Sequence, residues 1–285
     1  MKVLLFGNNF QEQSLVGIKT LIGRIAQRGI DCAVDAEFYN YLIQQLGEEL
    51  PAVPFGCDHP VEADLAISLG GDGTFLTTVM WVAEQHIPIL GVNTGHLGYL
   101  TTCNVEGADQ MLECFINGEY KIDQRTMLCV SCDQVEIKHP FALNDIAILR
   151  CDTSSMIEME TTLRDLPLTT YKGDGLVVST PTGSTAYNMS AGGPIIEPIA
   201  SCLVLTPVSP HSLTMRPLIV ADDATVSVVT YSRAGHYLVS LDGECFTCPS
   251  GSTITINKSP IKVLVVQPLH HNFATTLRHK LSWGI

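Results

Sequence analysis

A chain of 285 residues, 46% hydrophobic and 16% charged, has core enough for one large domain or two medium ones and reads as compact and ordered. Its formal net charge of −13 argues against nucleic acid or an anionic membrane as partner, because both are met with Lys and Arg. Any phosphate ligand must then be held locally by backbone amides, a few placed cations and a divalent metal. No apolar run is long enough to span a bilayer, and no cationic leader with a long apolar core opens the chain, so a cytoplasmic protein without membrane contact is the expectation.

The first third alternates strand and helix patterns. Residues 2–6 read as a strand that turns at Gly7-Asn8-Asn9. Residues 14–28, with Leu15, Ile18, Leu21, Ile22 and Ile25 at helical spacing, read as a helix stopped by Gly29. A second strand is expected over 30–34 and a second helix over 38–46. The run Ala63-Asp64-Leu65-Ala66-Ile67-Ser68 is strand-like and Phe75 to Ala83 suits a buried helix; between them stands Leu69-Gly70-Gly71-Asp72-Gly73-Thr74. Residues 87–92 read as another buried parallel strand, ending in Asn93-Thr94-Gly95-His96-Leu97-Gly98-Tyr99-Leu100, and 105–115 as a helix. This alternation implies a doubly wound, mostly parallel sheet whose ligands bind beyond the carboxyl ends of its strands. Both glycine loops, after residues 69 and 92, fall at such ends.

From about residue 119 the pattern changes to short strand-like runs separated by turn residues: 128–132, 135–138, 142–149, 156–163, 176–179, 203–206, 218–221, 225–230, 236–241, 253–256 and 261–266. Many short strands without long helices between them predict an all-β sandwich. Residues 273–283 look helical. The domains expected are therefore 1–118, an α/β unit carrying the glycine loop; 119–266, a β-sandwich; and 267–285, a segment returning to the first.

The loop at 70–74 has the layout of an anion site. Its glycines let the backbone come close to a ligand, and the free N–H groups of the following helix point at phosphates. Asp72 is the informative residue. A carboxylate among phosphate-binding amides repels its own ligand unless it holds a metal ion or takes a proton from a hydroxyl about to be phosphorylated, so phosphoryl transfer to an alcohol is the chemistry suggested. A Walker loop is excluded, since no Gly-x-x-x-x-Gly-Lys-Ser/Thr occurs. Taken alone, G-G-D-G is also compatible with an ordinary tight turn, Asn93 with a residue that merely tolerates a turn, and His96 with a surface histidine.

The ten cysteines include two Cys-x-x-Cys pairs, Cys129 with Cys132 and Cys245 with Cys248. A zinc ribbon would use such pairs, yet Cys129 and Cys132 fall in a strand-like run where residues three apart face opposite sides, and reduced, mostly buried thiols are expected. Three stretches of the β region carry more polar chemistry than a sandwich needs. Asn144-Asp145 can read a ribose hydroxyl or an adenine edge, or cap a turn. Residues 172–194 gather Lys172, Asp174, a run of hydroxyls, the aromatic face of Tyr187 and several glycines, which suits the sugars and pyrophosphate of a dinucleotide. His211 and Arg216, in the stretch 209–217, are compatible with a functional role or with ties that hold the loop.

These residues together resemble the NAD kinase family, the ATP-dependent enzymes that phosphorylate the 2′-hydroxyl of the adenosine ribose of NAD to give NADP. The likeness runs from Gly70-Gly71-Asp72-Gly73-Thr74 through Asn93-x-Gly95-x-x-Gly98, Asn144-Asp145, Asp174-Gly175-Leu176, 179–187, 190–194 and 210–213, to Asp242-Gly243 and the tail 277–283. G-G-D-G is shared with lipid and sugar kinases, whereas the long serine, threonine and glycine stretch is particular to this family. The resemblance implies an α/β domain followed by a β-sandwich with the site between them, in a homodimer or homotetramer. It also implies roles: Asp72 as general base on the 2′-hydroxyl, with Gly73 beside it; Asn144 and Asp145 on adenosine; Lys172 and Asp174 on the nicotinamide side; Thr185, Ala186, Tyr187 and Ser190 lining the dinucleotide pocket. Gly70, Gly71, Gly73 and Thr74 would receive ATP with its magnesium, which the triphosphate itself mainly holds, without a dedicated protein metal site. Departures from the family pattern stand at Asp145, where glutamate is more usual, and at Ser155 and Glu244.

Two other readings compete. A lipid or sphingoid-base kinase shares a related glycine motif, but the acidic chain offers no basic or apolar membrane surface. A non-catalytic dinucleotide-binding regulator would have no use for Asp72 at an anion site.

Overall fold

The computed structural model describes residues 1–9, 11–56, 62–95, 98–152 and 155–284; His96 lies outside them. The chain divides into two compact units, Met1–Gln124 with Val263–Ile285, and Arg125–Lys262. No helix among the described residues is long and apolar enough to cross a membrane.

In the first unit β1 (Lys2–Gly7), β2 (Asp31–Asp35), β3 (Val53–Phe55), β4 (Leu65–Leu69) and β5 (Ile89–Asn93) pair in parallel, in the order β3-β2-β1-β4-β5, and β6 (Cys103–Asn104) adds to β5. The near-continuous apolar runs of β1, β4 and β5 follow from burial on both faces, as a parallel sheet between helices requires. The helices are α1 (Leu15–Gln27), α2 (Ala36–Leu46), α3 (Asp72–Val82) and α4 (Val105–Asn117). Helix α1 buries Ile18, Leu21, Ile22 and Ile25, one stripe at helical spacing. Helices α2 and α4 start on Asp35 and Asn104, whose side chains accept the amides of Phe38 and Gly107, and both end on glycines of positive φ. The chain winds outward from β1 to β3 and then returns to β4 on the other side of β1. The carboxyl ends of β1 and β4, with Gly7 level with Leu69, are thus the topological switch point where ligands of such sheets bind.

The second unit is an antiparallel β-sandwich. One sheet contains β7 (Tyr120–Cys132), β8 (Phe141–Ala142), β10 (Ile157–Leu163), β11 (Leu166–Gly173), β15 (Val226–Tyr231) and the first part of β18 (Thr253–Pro268). The other has the order β14-β13-β12-β9-β16-β17, formed by β9 (Asp145–Leu149), β12 (Gly175–Ser179), β13 (Cys202–Val208), β14 (Leu218–Ala221), β16 (His236–Leu241) and β17 (Glu244–Pro249). Leu128, Ile146, Ile148, Met159, Val178, Leu205, Val228, Val239 and Ile254 fill the core between them. A 3-10 turn over Thr182–Thr185 leads into the single helical turn α5 (Tyr187–Ser190), and α6 (Phe273–Leu281) follows β18.

The parallel sheet and the sandwich are as the sequence predicts; several details differ. Residues 135–138 are loop despite their alternating pattern, with Val135 and Ile137 packed against the core of the sandwich. The run 142–149 is two strands, divided at Leu143-Asn144. Strands β11 and β17 lie at sheet edges, with mostly exposed side chains, so they lack the alternation that reveals a strand. The expected strands at 253–256 and 261–266 are one, β18: Pro260 falls between the ladder to β15, which ends at Ile256, and the pairing of Val265 with Ile89.

Candidate functional site

In the first unit the glycine loop joins the end of β4 to α3, and the helix begins inside the motif, with Gly71 as N-cap and Asp72 as its first residue. The amides of the first turn have no partner within the helix, by its geometry. Gly70 is required by packing: a Cβ there would stand 2.2 Å from Thr74 Oγ1. That hydroxyl accepts from Asn8 Nδ2 at 2.8 Å, so the end of β1 is tied to the first turn of α3. Gln11, buried, adds a bond from Nε2 to the Leu69 carbonyl. Accepting the Asn8 bond leaves the Thr74 O–H proton unused, so Thr74 has both its backbone amide and its hydroxyl to offer an anion.

Asp72 is half-buried and bound by backbone alone: Oδ2 accepts the Tyr99 amide and Oδ1 the Leu100 amide, each at 2.8 Å. Both glycine loops meet here. A Cβ at Gly98 would lie 2.2 Å from Asp72 Oδ1, so only glycine lets the second loop approach. Among the described residues no Lys, Arg or His pairs with Asp72. The receiving loop is braced in turn by Lys280 of α6, whose Nζ donates to the carbonyls of Tyr99 at 3.1 Å and Thr101 at 2.7 Å. Nothing in the sequence pattern marks Lys280 or Asn8 for these tasks.

The second unit gathers another cluster at the β8–β9 break. Leu143, Asn144 and Asp145 turn there because the half-buried Asp242, at the β16–β17 hairpin, accepts all three of their amides, at 2.7, 2.8 and 3.0 Å. Asp242 sits at φ 51, a left-handed conformation that Asp tolerates better than most residues. The loop after β12 presses on the same turn: Thr180 Oγ1 donates to the Leu143 carbonyl at 2.6 Å, the Thr180 amide donates to the Asn144 carbonyl, and a Cβ at Gly183 would lie 2.1 Å from that carbonyl oxygen. Asn188 ties the rest of the loop, donating to the Ser184 and Pro194 carbonyls and accepting from Thr206. Much of the hydroxyl run thus builds the loop itself.

What this framework leaves available is narrower. The half-buried Asn144 side-chain amide has no hydrogen bond within the described protein, and the side chains of Tyr187 and Ser190 are exposed. Thr185 donates only a long bond, 3.3 Å, to the Thr182 carbonyl, and Ala186 is half-buried beside it. Asp145 is buried, and burial, then the nearby Asp242 charge, push its carboxyl up to about 7 against the pull of the Tyr187 amide. Near neutral pH it can donate as well as accept. Burial also raises Asp242, against the pull of its three amides, and raises Tyr187, which Asp145 and Asp174 push the same way. Lys172 and Asp174 are held in exposed or half-exposed ion pairs, Lys172 with Glu158 at 2.9 Å and Asp174 with Arg150 at 3.0 Å, and Asp174 is close enough for its charge to act on Tyr187. Arg216 donates to the Leu213 and Met215 carbonyls as a loop tie. No three His, Cys, Asp or Glu side chains converge on a metal-sized point among the described residues.

The sequence matches two family models, the ATP-NAD kinase N-terminal domain over residues 17–120 and the ATP-NAD kinase C-terminal domain over 143–267. It is 39% identical to an NAD kinase of Bacteroides fragilis, covering 100% of this chain and 98% of that one, and 40% identical to an NAD kinase of Porphyromonas gingivalis, covering 99% and 98%. The fold superposes on a yeast NADH kinase solved with NADH, with a TM-score of 0.90 at 22% identity over 100% of this chain and 88% of that one. It superposes on an Archaeoglobus fulgidus NAD kinase solved with ATP, with a TM-score of 0.74 at 24% identity over 98% and 99%. With both family models matched in order and relatives aligned along their whole length, the chain belongs to the NAD kinase family.

Proposed function

We propose that this enzyme transfers the γ-phosphate of ATP to the 2′-hydroxyl of the adenosine ribose of NAD, giving NADP, with Asp72 as general base. The observation that carries the reading is the state of Asp72: a half-exposed carboxylate at the N-terminus of α3, fixed by two backbone amides and unpaired with any cation among the described residues. One amide on each oxygen orients the group and leaves lone pairs for a hydroxyl proton. The helix terminus behind Gly70, Gly71, Gly73 and Thr74 offers its free amides to the triphosphate. Magnesium carried by the triphosphate supplies neutralisation of charge on the transferring phosphoryl group.

Asn144, with its unused amide, and Asp145, able to donate and accept, hold the adenosine; Thr185, Ala186, Tyr187 and Ser190 line the dinucleotide pocket. Lys172 and Asp174 contact the nicotinamide side, each exchanging part of its present ion pair for the ligand. The same proposal takes the chain as a cytoplasmic homodimer or homotetramer, which light scattering on the purified protein tests.

The deciding experiment supplies ATP, magnesium and NAD to the purified protein and looks for NADP, with NADH and a lipid acceptor in parallel; phosphate passing only to lipid overturns the reading. Asp72→Asn is expected to keep dinucleotide binding and lose roughly 10²–10⁴ in turnover. Near-wild-type turnover in that variant removes the role assigned to Asp72.

A further inference from the structure

The two Cys-x-x-Cys motifs do not act as pairs. Cys245 is exposed, with its Sγ turned to the Gly243 carbonyl at 3.7 Å. The buried thiol of that motif, Cys248 on β17, instead faces Cys132, the last residue of β7, with the two sulfurs 3.9 Å apart and 116 residues apart in sequence. Strand β17 pairs with β16 in one sheet of the sandwich, and β7 belongs to the other, so this contact crosses the core between them. Exposure is unequal. Cys248 has no accessible surface, while Cys132 is half-buried. A small oxidant therefore meets Cys132 first, and the oxidised sulfur finds Cys248 in contact with it.

We propose that Cys132 and Cys248 form an oxidative modification site that closes to an inter-sheet disulfide under a two-electron oxidant of the peroxide class. In the first step the Cys132 sulfur attacks one oxygen of hydrogen peroxide; the O–O bond breaks, a sulfenic acid forms, and the departing hydroxide leaves as water with the Cys132 proton. In the second step the Cys248 sulfur attacks the sulfenic sulfur, the S–O bond breaks, and a second water leaves with the Cys248 proton. Each thiol gives up one hydrogen and the peroxide is reduced to two waters. The sulfurs must close from 3.9 Å to about 2.05 Å, a movement eased by the position of Cys132 as the last residue of its strand. Burial, then the adjacent Cys132, pushes the Cys248 thiol up to about 12, so it is not the sulfur that the peroxide oxidises first, and it gives its proton to the departing sulfenic oxygen as it attacks. Asp133 Oδ1, 3.9 Å from Cys132 Sγ, is placed to relay the thiol proton to the departing hydroxide.

The test treats the full-length protein with hydrogen peroxide, alkylates the remaining thiols, digests without reduction and reads the peptides by mass spectrometry. The expected product is a peptide containing 132 joined to one containing 248, lighter by two hydrogens than their sum and separated again by dithiothreitol. Because the link closes a long loop, the oxidised protein should also unfold at a higher urea concentration than the reduced one. In Cys132→Ser, Cys248 should stay reduced under the same treatment. A Cys132–Cys129 link, a sulfinic acid at Cys132 with Cys248 still free, or oxidation of Cys248 in Cys132→Ser at the wild-type rate would each overturn the proposal. Should Cys132→Ser fail to fold, the peptide map of the oxidised wild type alone decides the matter.

Discussion

Asp72 acquires its direction from a residue that has no side chain. The carboxylate reaches the Tyr99 and Leu100 amides because Gly98 leaves room for it, and an added Cβ would fall 2.2 Å from Oδ1. Gly98→Ala should therefore displace either the carboxylate or the loop, and a misplacement of about an ångström at reacting groups is worth on the order of 10² in rate. Steady-state kinetics on a variant shown to be folded by circular dichroism checks this; unchanged turnover would mean that the orientation of Asp72 has no bearing on the reaction. Asp145 makes a different prediction. Its folded-state carboxyl, raised to about 7, keeps a proton that an unfolded aspartate has lost by about pH 4. Between those values the folded state binds more protons than the unfolded one, so this residue makes stability fall as pH rises from about 4 to about 7, with no further change above. Urea midpoints measured across that window should show the slope in the wild type and a shallower one in Asp145→Asn.

At the scale of the element, the loop between β12 and β13 is a small polar core of its own. Asn188 is fully buried and satisfies two carbonyls and the Thr206 hydroxyl at once. Asn188→Ala strands all three partners out of water, and with unsatisfied groups worth about 1–3 kcal/mol each before relaxation, a loss of roughly 2–5 kcal/mol is expected. Denaturant titration measures it, and a loss below about 1 kcal/mol would show that the loop is held by other means. The composition of this stretch is legible in the sequence; its division of labour is not. Hydroxyls that suit a sugar also suit a neighbouring carbonyl, and only the fold shows that Thr180 and Ser184 turn inward while Tyr187 and Ser190 turn out.

For the whole molecule, the second unit is one continuous stretch, Arg125–Lys262, with its own core, whereas the first is assembled from two segments. Residues 125–262 made alone should fold cooperatively, with a single sigmoidal urea transition and a dispersed amide NMR spectrum. A broad, non-cooperative transition would show that the sandwich depends on the rest of the chain. The net charge of −13 acts at this scale too, leaving anion binding to local backbone rather than to a positive surface.

The sequence alone determined the fold class and the family. Periodicity of 3.6 and of 2 reports which face of an element is buried, and the glycine and hydroxyl motifs are contiguous, so both survive without coordinates. Edge strands β11 and β17 escaped because strands exposed along most of their length carry no such rhythm. Tertiary structure alone decided that Asp72 is aimed by amides 27 and 28 residues away, that Asp242 shapes a turn 97 to 99 residues before it, and that Cys132 faces Cys248 rather than its motif partner. The reason is physical: a hydrogen bond or a thiol contact depends on distance in space, and nothing in local spacing records which remote segment the chain will bring there.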